Sequence, residues 1–285
     1  MTVFELYNLV KNKLQNANIL EYNTESKIIV EEFCEIPFNK IILNRDILIT
    51  ENVINNCLKG VDERILWKPL QYIIGHWDFY GRKYFVGEGV LIPRSDTEIL
   101  IDCTLAYAKK HDKNNLQIAD LCSGSGCIAI TIAKEILNSD VFAIELSKDA
   151  IKYLEKNKEF NKATNLAIFQ KDVLDLQSIS NFKNLDIILS NPPYIKKQLV
   201  SSLQNEVLFE PILALDGGED GLIFYRYIIK YWQTALKVGG FMAFEIGYDQ
   251  GEAVKNLFEK NGFTNIEILK DYSGNERVVC AKKQY

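Results

Sequence analysis

Ile118-Ala119-Asp120-Leu121-Cys122-Ser123-Gly124-Ser125-Gly126-Cys127-Ile128-Ala129 reads as a short apolar strand, a glycine turn and the opening of a helix. Gly124 and Gly126 permit a tight turn without Cβ collisions, and the N–H groups that open the helix favour a polar or negative ligand group. Cys122, Ser123, Gly124, Ser125 and Gly126 are therefore candidate ligand-binding residues. Outward from this turn, apolar runs at 117–121, 141–146, 166–169, 185–189 and 241–246 alternate with helical segments at 126–137, 147–160 and 220–236. That alternation predicts an α/β fold with a mostly parallel sheet. Near the C-terminus, TNIEILKDY and ERVVCAKK are separated by only Ser273-Gly274-Asn275, too short for a crossover helix, so an antiparallel hairpin is expected to close the sheet.

Upstream the pattern changes. Phe4, Leu6, Leu9, Val10 and Leu14 fall on one helical stripe, and Ile28, Ile29, Phe33 and Ile36 lie on a second helix stopped by Pro37. Thr50 reads as the cap of a further helix ending near Gly60. Residues 1–75 are thus expected to form a small helical domain. Residues 76–93, HWDFYGRKYFVGEGVLIP, alternate aromatic and polar residues around Gly81 and read as a hairpin linker. Residues 94–285 form the larger domain, its first helix opened by a capping box of Ser95 and Glu98.

Composition narrows the class. The chain has 285 residues, 47% of them hydrophobic and 25% charged, with a net charge of -5, as an ordinary globular protein has. No uncharged apolar stretch approaches the roughly 18–20 residues that a membrane helix needs, and the N-terminus is amphipathic, so a cytoplasmic protein without membrane contact is expected. The acidic balance argues against a protein that holds long nucleic acid directly, and Lys109-Lys110-His111 reads as a solvated cluster. The six cysteines contain no C-x-x-C pair and read as buried reduced thiols, with no metal expected.

Two carboxylates sharpen the glycine turn. Glu145 ends the next strand, where it can accept bonds from both ribose hydroxyls, and Asp172 ends the third strand, within reach of an adenine amino group. The turn also satisfies the relaxed dinucleotide fingerprint, Gly124-x-Gly126-x-x-Ala129. A pyrophosphate needs the helix N-terminus in full, whereas S-adenosylmethionine has no phosphate and places its amino-acid end there. The next motif favours the second ligand: Leu185–Ser190 runs directly into Asn191-Pro192-Pro193-Tyr194. Two prolines stiffen that strand end and leave an asparagine amide and backbone carbonyls at the sheet edge. Such a site suits methylation of a planar nitrogen, whose delocalised lone pair is a poor nucleophile. The Asn191 oxygen and the Pro192 carbonyl accept its N–H bonds, and Tyr194 packs on the planar group.

With these motifs in order, the chain resembles the protein-glutamine methyltransferases that modify peptide-chain release factors, in the class I S-adenosylmethionine-dependent fold. The likeness is also carried by Pro69–Gly75, Ile92–Glu98, Leu215–Gly221 and Phe244–Gly247 with Gln250. It implies a Rossmann-like seven-stranded catalytic domain behind a helical domain that helps to hold the release factor. It also implies the glutamine of that factor's Gly-Gly-Gln motif as acceptor. Carried over by position, Cys122, Ser123, Gly124, Ser125 and Gly126 wrap the methionine part, Glu145 the ribose, and Asp172 and Val173 the adenine. Asn191, Pro192, Pro193 and Tyr194 hold the glutamine amide, with Asn191 also counted among the cofactor-binding residues. Cys122 stands where the family more often has glycine, so the turn is expected to avoid positive φ there. Ser95 replaces a common proline, and Val173 replaces an aromatic residue found in some members.

Three other readings compete. Adenine in DNA or RNA presents a similar planar amino group, a ribosomal protein can supply a glutamine, and a non-catalytic module can keep the fold. Of the remaining candidates, His76 reads as a packed hairpin residue and Arg94 as the partner of an acid. Glu245 reads either as a proton acceptor or as half of a sheet-edge ion pair.

Overall fold

The computed structural model describes residues 1–111 and 115–284, without the side chain of His111. The chain forms two compact units, one of Met1–His76 with Gln204–Phe209 and one of Trp77–Leu203 with the chain from Glu210 onward.

The first unit holds five helices: α1 (Val3–Asn16), α2 (Tyr22–Cys34), α3 (Phe38–Leu43), α4 (Glu51–Ile65) and α5 (Leu70–Ile74). Thr2 and Glu5 form a full capping box at the start of α1. The buried stripe of α1 is Val3, Leu6, Tyr7, Val10 and Leu14, while Phe4 is half-buried and Leu9 is 36% exposed, so the core face is rotated from the expected one. Helix α2 stops at Cys34 with Glu35 in the left-handed region, short of Pro37. Thr50 caps α4 through the Val53 N–H, yet the helix continues past Gly60 to Ile65. Gly60 serves packing instead of termination, because a Cβ there would stand 2.9 Å from both Phe33 and Ile73. Arg64, on the same helix, is buried and makes a two-pronged bond to Glu25, at 2.6 and 2.9 Å.

The hairpin is shorter than expected. Its strands are β1 (His76–Phe79) and β2 (Arg82–Phe85), joined by Tyr80 and Gly81 at φ 49° and 69°. Positive φ at both positions is the requirement of the tightest hairpin turn. The expected Ser95/Glu98 capping box does not form. Glu98 accepts the Tyr80 N–H instead, at 2.8 Å, and Ser95–Thr97 form a 3-10 turn ahead of α6 (Glu98–His111).

The second unit then alternates: β3 (Leu116–Leu121), α7 (Cys127–Glu135), β4 (Ser139–Glu145), α8 (Lys148–Phe160), β5 (Leu166–Gln170), α9 (Leu176–Ile179) and β6 (Leu185–Ser190). After α10 (Lys197–Val200) come α11 (Ile223–Tyr231), shorter than the expected 220–236, β7 (Leu236–Glu245), α12 (Gly251–Lys260), β8 (Phe263–Lys270) and β9 (Glu276–Lys283). The seven-stranded sheet has the order β5-β4-β3-β6-β7-β9-β8. Strand β9 pairs antiparallel with both β7 and β8, so it alone opposes the rest and β8 forms the edge. Alternate residues enter opposite cores. Ile118, Ala143, Ile187 and Leu189 pack with α7, while Ala119, Ile144, Ile188 and Phe244 pack with Tyr225, Ile228 and Trp232. Strand β3 lies between β4 and β6, where the order reverses. A crevice therefore opens at the carboxyl ends of these strands, the usual ligand position in such sheets.

Candidate active site

The crevice holds a cavity of about 240 Å³ lined by the glycine turn, the end of β4, the loops after β5 and β6, residues 89–94 and Phe224. The turn is anchored from below. Ser123 donates its N–H to Ile144 O at 3.1 Å and its hydroxyl to Asp120 O at 2.8 Å. Cys122 has φ 62°, contrary to the expectation that it avoids positive φ. The left-handed conformation costs a non-glycine residue roughly 1–2 kcal/mol, which the anchoring bonds and burial offset. Gly124 and Gly126 also have positive φ, at 54° and 82°, but they do different work. Nothing lies within 4 Å of where a Gly124 Cβ would stand, so its backbone is open to a ligand. A Cβ on Gly126 would meet Leu154 at 2.1 Å. Cys122, Ser123, Gly124 and Ser125 line the cavity, and Gly126 packs the turn against α8.

Glu145 lines the cavity but is only 8% exposed. One carboxylate oxygen accepts the Gly124 N–H at 2.8 Å and the other the Ser147 N–H at 2.7 Å. Burial raises its pKa, against the pull of these N–H groups. Asp172 lies two residues beyond the end of β5, in a turn where one oxygen accepts the Leu174 N–H at 2.8 Å. Val173 lines the same wall, and its carbonyl accepts the indole N–H of Trp232 at 2.9 Å. Trp232 is wholly buried, so the loop after β5 is fixed from the core.

Of the Asn-Pro-Pro-Tyr residues, Asn191 and Pro193 line the cavity, Pro192 is buried, and Tyr194 donates its hydroxyl to Glu245 at 3.2 Å. Gln250 supports this loop by donating to Tyr194 O at 3.0 Å. Among the described residues Glu245 makes no ion pair. It is 2% exposed, and its other oxygen accepts the Thr97 hydroxyl at 2.5 Å. Burial raises its pKa, while Thr97, Arg277 and Tyr194 pull it down. Thr97 in turn faces the Asn191 amide nitrogen at 3.4 Å. Arg94 pairs with Glu210, an acid only 3% exposed that also accepts the Ile92 N–H at 2.9 Å. Thr97 and Glu210 are functional candidates that the sequence alone does not single out. Thr97 lies within the Ile92–Glu98 motif, which marks its position, whereas Glu210 has no local signal in the sequence. His76 bonds Glu32 at 2.7 Å and is not among the cavity residues.

This sheet order, with a glycine turn after β3 and Asn-Pro-Pro-Tyr after β6, defines a methyltransferase. Residues 97–216 match the methyltransferase small domain and residues 5–75 the PrmC N-terminal domain. The fold is shared with a methyltransferase from Pyrococcus furiosus at TM-score 0.51 and 15% identity, over 83% of this chain and 100% of that one. The chain belongs to the release factor glutamine methyltransferase family. It is 37% identical to the member from Clostridium acetobutylicum over 94% of each chain. It is 43% identical to the member from Fusobacterium nucleatum over 76% of this chain and 60% of that longer one.

Proposed function

We propose that this protein uses S-adenosylmethionine to methylate the side-chain amide nitrogen of the glutamine in the Gly-Gly-Gln motif of peptide-chain release factors. The observation that carries the reading is the placement of Asn191 and Pro193 on the wall of the cavity that the glycine turn also lines. Residues 1–75 serve in recognition of the factor, residues 76–93 link, and residues 94–285 carry the chemistry in the cytoplasm.

The residues present suit the cofactor. Open space at Gly124 admits close backbone approach, the second lone pairs of Glu145 suit ribose hydroxyls, and Asp172 with Val173 suits a planar ring carrying an amino group. No metal enters this reading. When bound, S-adenosylmethionine would supply a sulfonium methyl to the amide nitrogen, with S-adenosylhomocysteine as the leaving group and one amide proton released to solvent. The protein's part is orientation and electrostatics. Asn191 Oδ1 and the Pro192 carbonyl accept the two amide N–H bonds and stabilise positive charge as it develops on nitrogen. Pro192 and Pro193 keep this loop rigid, so the acceptors need no reorganisation during transfer. Tyr194 is not among the residues that line the cavity; its hydroxyl stays on Glu245, and its ring would pack on the planar amide once the acceptor is bound.

The test is incubation with labelled S-adenosylmethionine and, separately, unmodified release factor, ribosomal protein and DNA, with the methyl located by mass spectrometry. Label on the Gly-Gly-Gln glutamine is the expected result. Label only on adenine or on ribosomal protein overturns the acceptor, and cofactor binding with no label on any acceptor overturns catalysis.

A further inference from the structure

A side-chain amide presents an acceptor on one side and a donor on the other, so Asn191 can aid transfer only if its oxygen, not its nitrogen, faces the bound acceptor. Geometry alone does not choose between two orientations of nearly the same shape. The groups behind Asn191 do. Thr97 Oγ1 lies 2.5 Å from Glu245 Oε2 and 3.4 Å from Asn191 Nδ2, and both Thr97 and Glu245 are 2% exposed. A threonine hydroxyl owns one hydrogen. An ionised carboxylate owns none, and the short O–O separation is that of a charge-assisted bond. The Thr97 hydrogen is therefore committed to Glu245, and toward Asn191 the hydroxyl can only accept. An Asn191 oxygen turned to Thr97 would set two acceptors against each other.

We propose that Thr97 and Glu245 are positioning residues that fix the polarity of the Asn191 amide, turning its nitrogen to Thr97 and leaving its oxygen for the substrate nitrogen. The inference rests on the role given to Asn191 above and assigns what lies behind it. Tyr194 completes the arrangement by occupying the other Glu245 oxygen, so the carboxylate cannot rotate freely away from Thr97.

The relay reverses when Glu245 takes a proton. A Glu245 hydroxyl can donate to Thr97, which releases the threonine hydrogen toward Asn191 and favours the flipped amide. The groups around Glu245 are the Tyr194 hydroxyl after β6, Asp96 in the turn before α6, Cys127 at the start of α7, and Arg277 on β9. The Tyr225 hydroxyl from α11 reaches its backbone carbonyl at 2.9 Å. Arg277 is shared with Asp271 and Asp96, at 3.0 and 3.3 Å. Burial outweighs the attractive partners and raises the Glu245 pKa, so activity falls on the acid side as Glu245 protonates.

The experiment compares Thr97→Val, Thr97→Ser and Glu245→Gln in the full chain. It reads kcat and KM across pH and the ¹⁵N side-chain amide resonance of Asn191, identified by its loss in Asn191→Ala. Thr97→Val, close in shape, is expected to lower kcat roughly tenfold or more with acceptor KM little changed, and Thr97→Ser to restore it. Glu245→Gln is expected to lower kcat and abolish the acid limb, since Gln can itself donate to Thr97. The Asn191 resonance should shift in Thr97→Val, return in Thr97→Ser, and track the acid limb in the unmodified protein only. Wild-type kcat in Thr97→Val, or an Asn191 resonance unmoved by that change, overturns the proposal. If the unmodified protein methylates no acceptor, the release-factor reading fails, and the resonance still decides the polarity.

Discussion

The two ends of the cleft each stand on a buried carboxyl group, and the chain treats them in opposite ways. Behind the glycine turn, Asp120 is fully buried and accepts the Ala129 N–H through one oxygen at 3.1 Å, while the other oxygen has no hydrogen-bond partner among the described residues. Its pKa is pushed up to about 8 by burial, against the weaker pull of the Ser123 hydroxyl and the Ala129 N–H. Behind the Asn-Pro-Pro-Tyr loop, Glu245 is almost as buried but has a hydroxyl on each oxygen. An unpartnered buried carboxylate takes up a proton because an uncompensated charge costs far more than a neutral acid. A doubly bonded one keeps its acceptor character and can impose direction on its neighbours. The glycine-turn end is thus held by backbone conformation and packing, and the Asn-Pro-Pro-Tyr end by hydrogen bonds between side chains.

Under the proposed function, the contrast predicts that damage at the Asn-Pro-Pro-Tyr loop falls on turnover and damage at the glycine turn on cofactor binding. Asn191→Ala is expected to lower kcat by roughly 10² or more with S-adenosylmethionine affinity nearly unchanged. Equal losses in binding and turnover would erase the division. Glu145→Ala, which frees the Gly124 and Ser147 N–H groups, is expected to weaken cofactor binding roughly tenfold with a smaller change in kcat. Calorimetric titration beside single-turnover rates separates the two effects.

The proton on Asp120 gives the next test. Its folded pKa of about 8 exceeds the ordinary 3.8, so between these values the folded state holds a proton that the unfolded chain has released. This contribution is full below the unfolded value and is lost as pH rises through the folded one, at up to about 1.4 kcal/mol per pH unit. Denaturant unfolding at pH 6 and pH 7 should show Asp120→Asn losing less stability over that unit than the unmodified protein. Identical losses would place the carboxyl's ionisation elsewhere. The smallest effect is expected at Cys122. Changing it to Gly relieves the left-handed conformation but frees the unfolded chain and removes a packed thiol, so stability should move by less than about 1 kcal/mol. A larger gain would mean that the turn is more strained than its anchoring bonds suggest.

The sequence was most legible where one element carries the signal. Strands β3 to β7, the glycine turn and the Asn-Pro-Pro-Tyr loop are each written in a few consecutive residues. It was least legible where a local rule met a tertiary partner. Glu98 had the spacing of a capping box, yet Tyr80 claimed its carboxylate. Gly60 had the look of a helix end, yet Phe33 and Ile73 needed the space. Cys122 lacked the residue type for positive φ and adopts it under the bonds of its neighbour Ser123.

By itself the sequence determined the alternation of strands and helices and the positions of the turn and loop, because these depend on periodicity and nearest-neighbour stereochemistry. Only the tertiary structure decided that β9 inserts between β7 and β8 and that Gly126 packs while Gly124 faces the cavity. It also decided that Thr97, Asn191, Tyr194 and Glu245 meet. Those four residues come from the turn before α6, the loop after β6 and the end of β7, and their hydrogen-bond directions exist only once the sheet has brought the three segments to one edge.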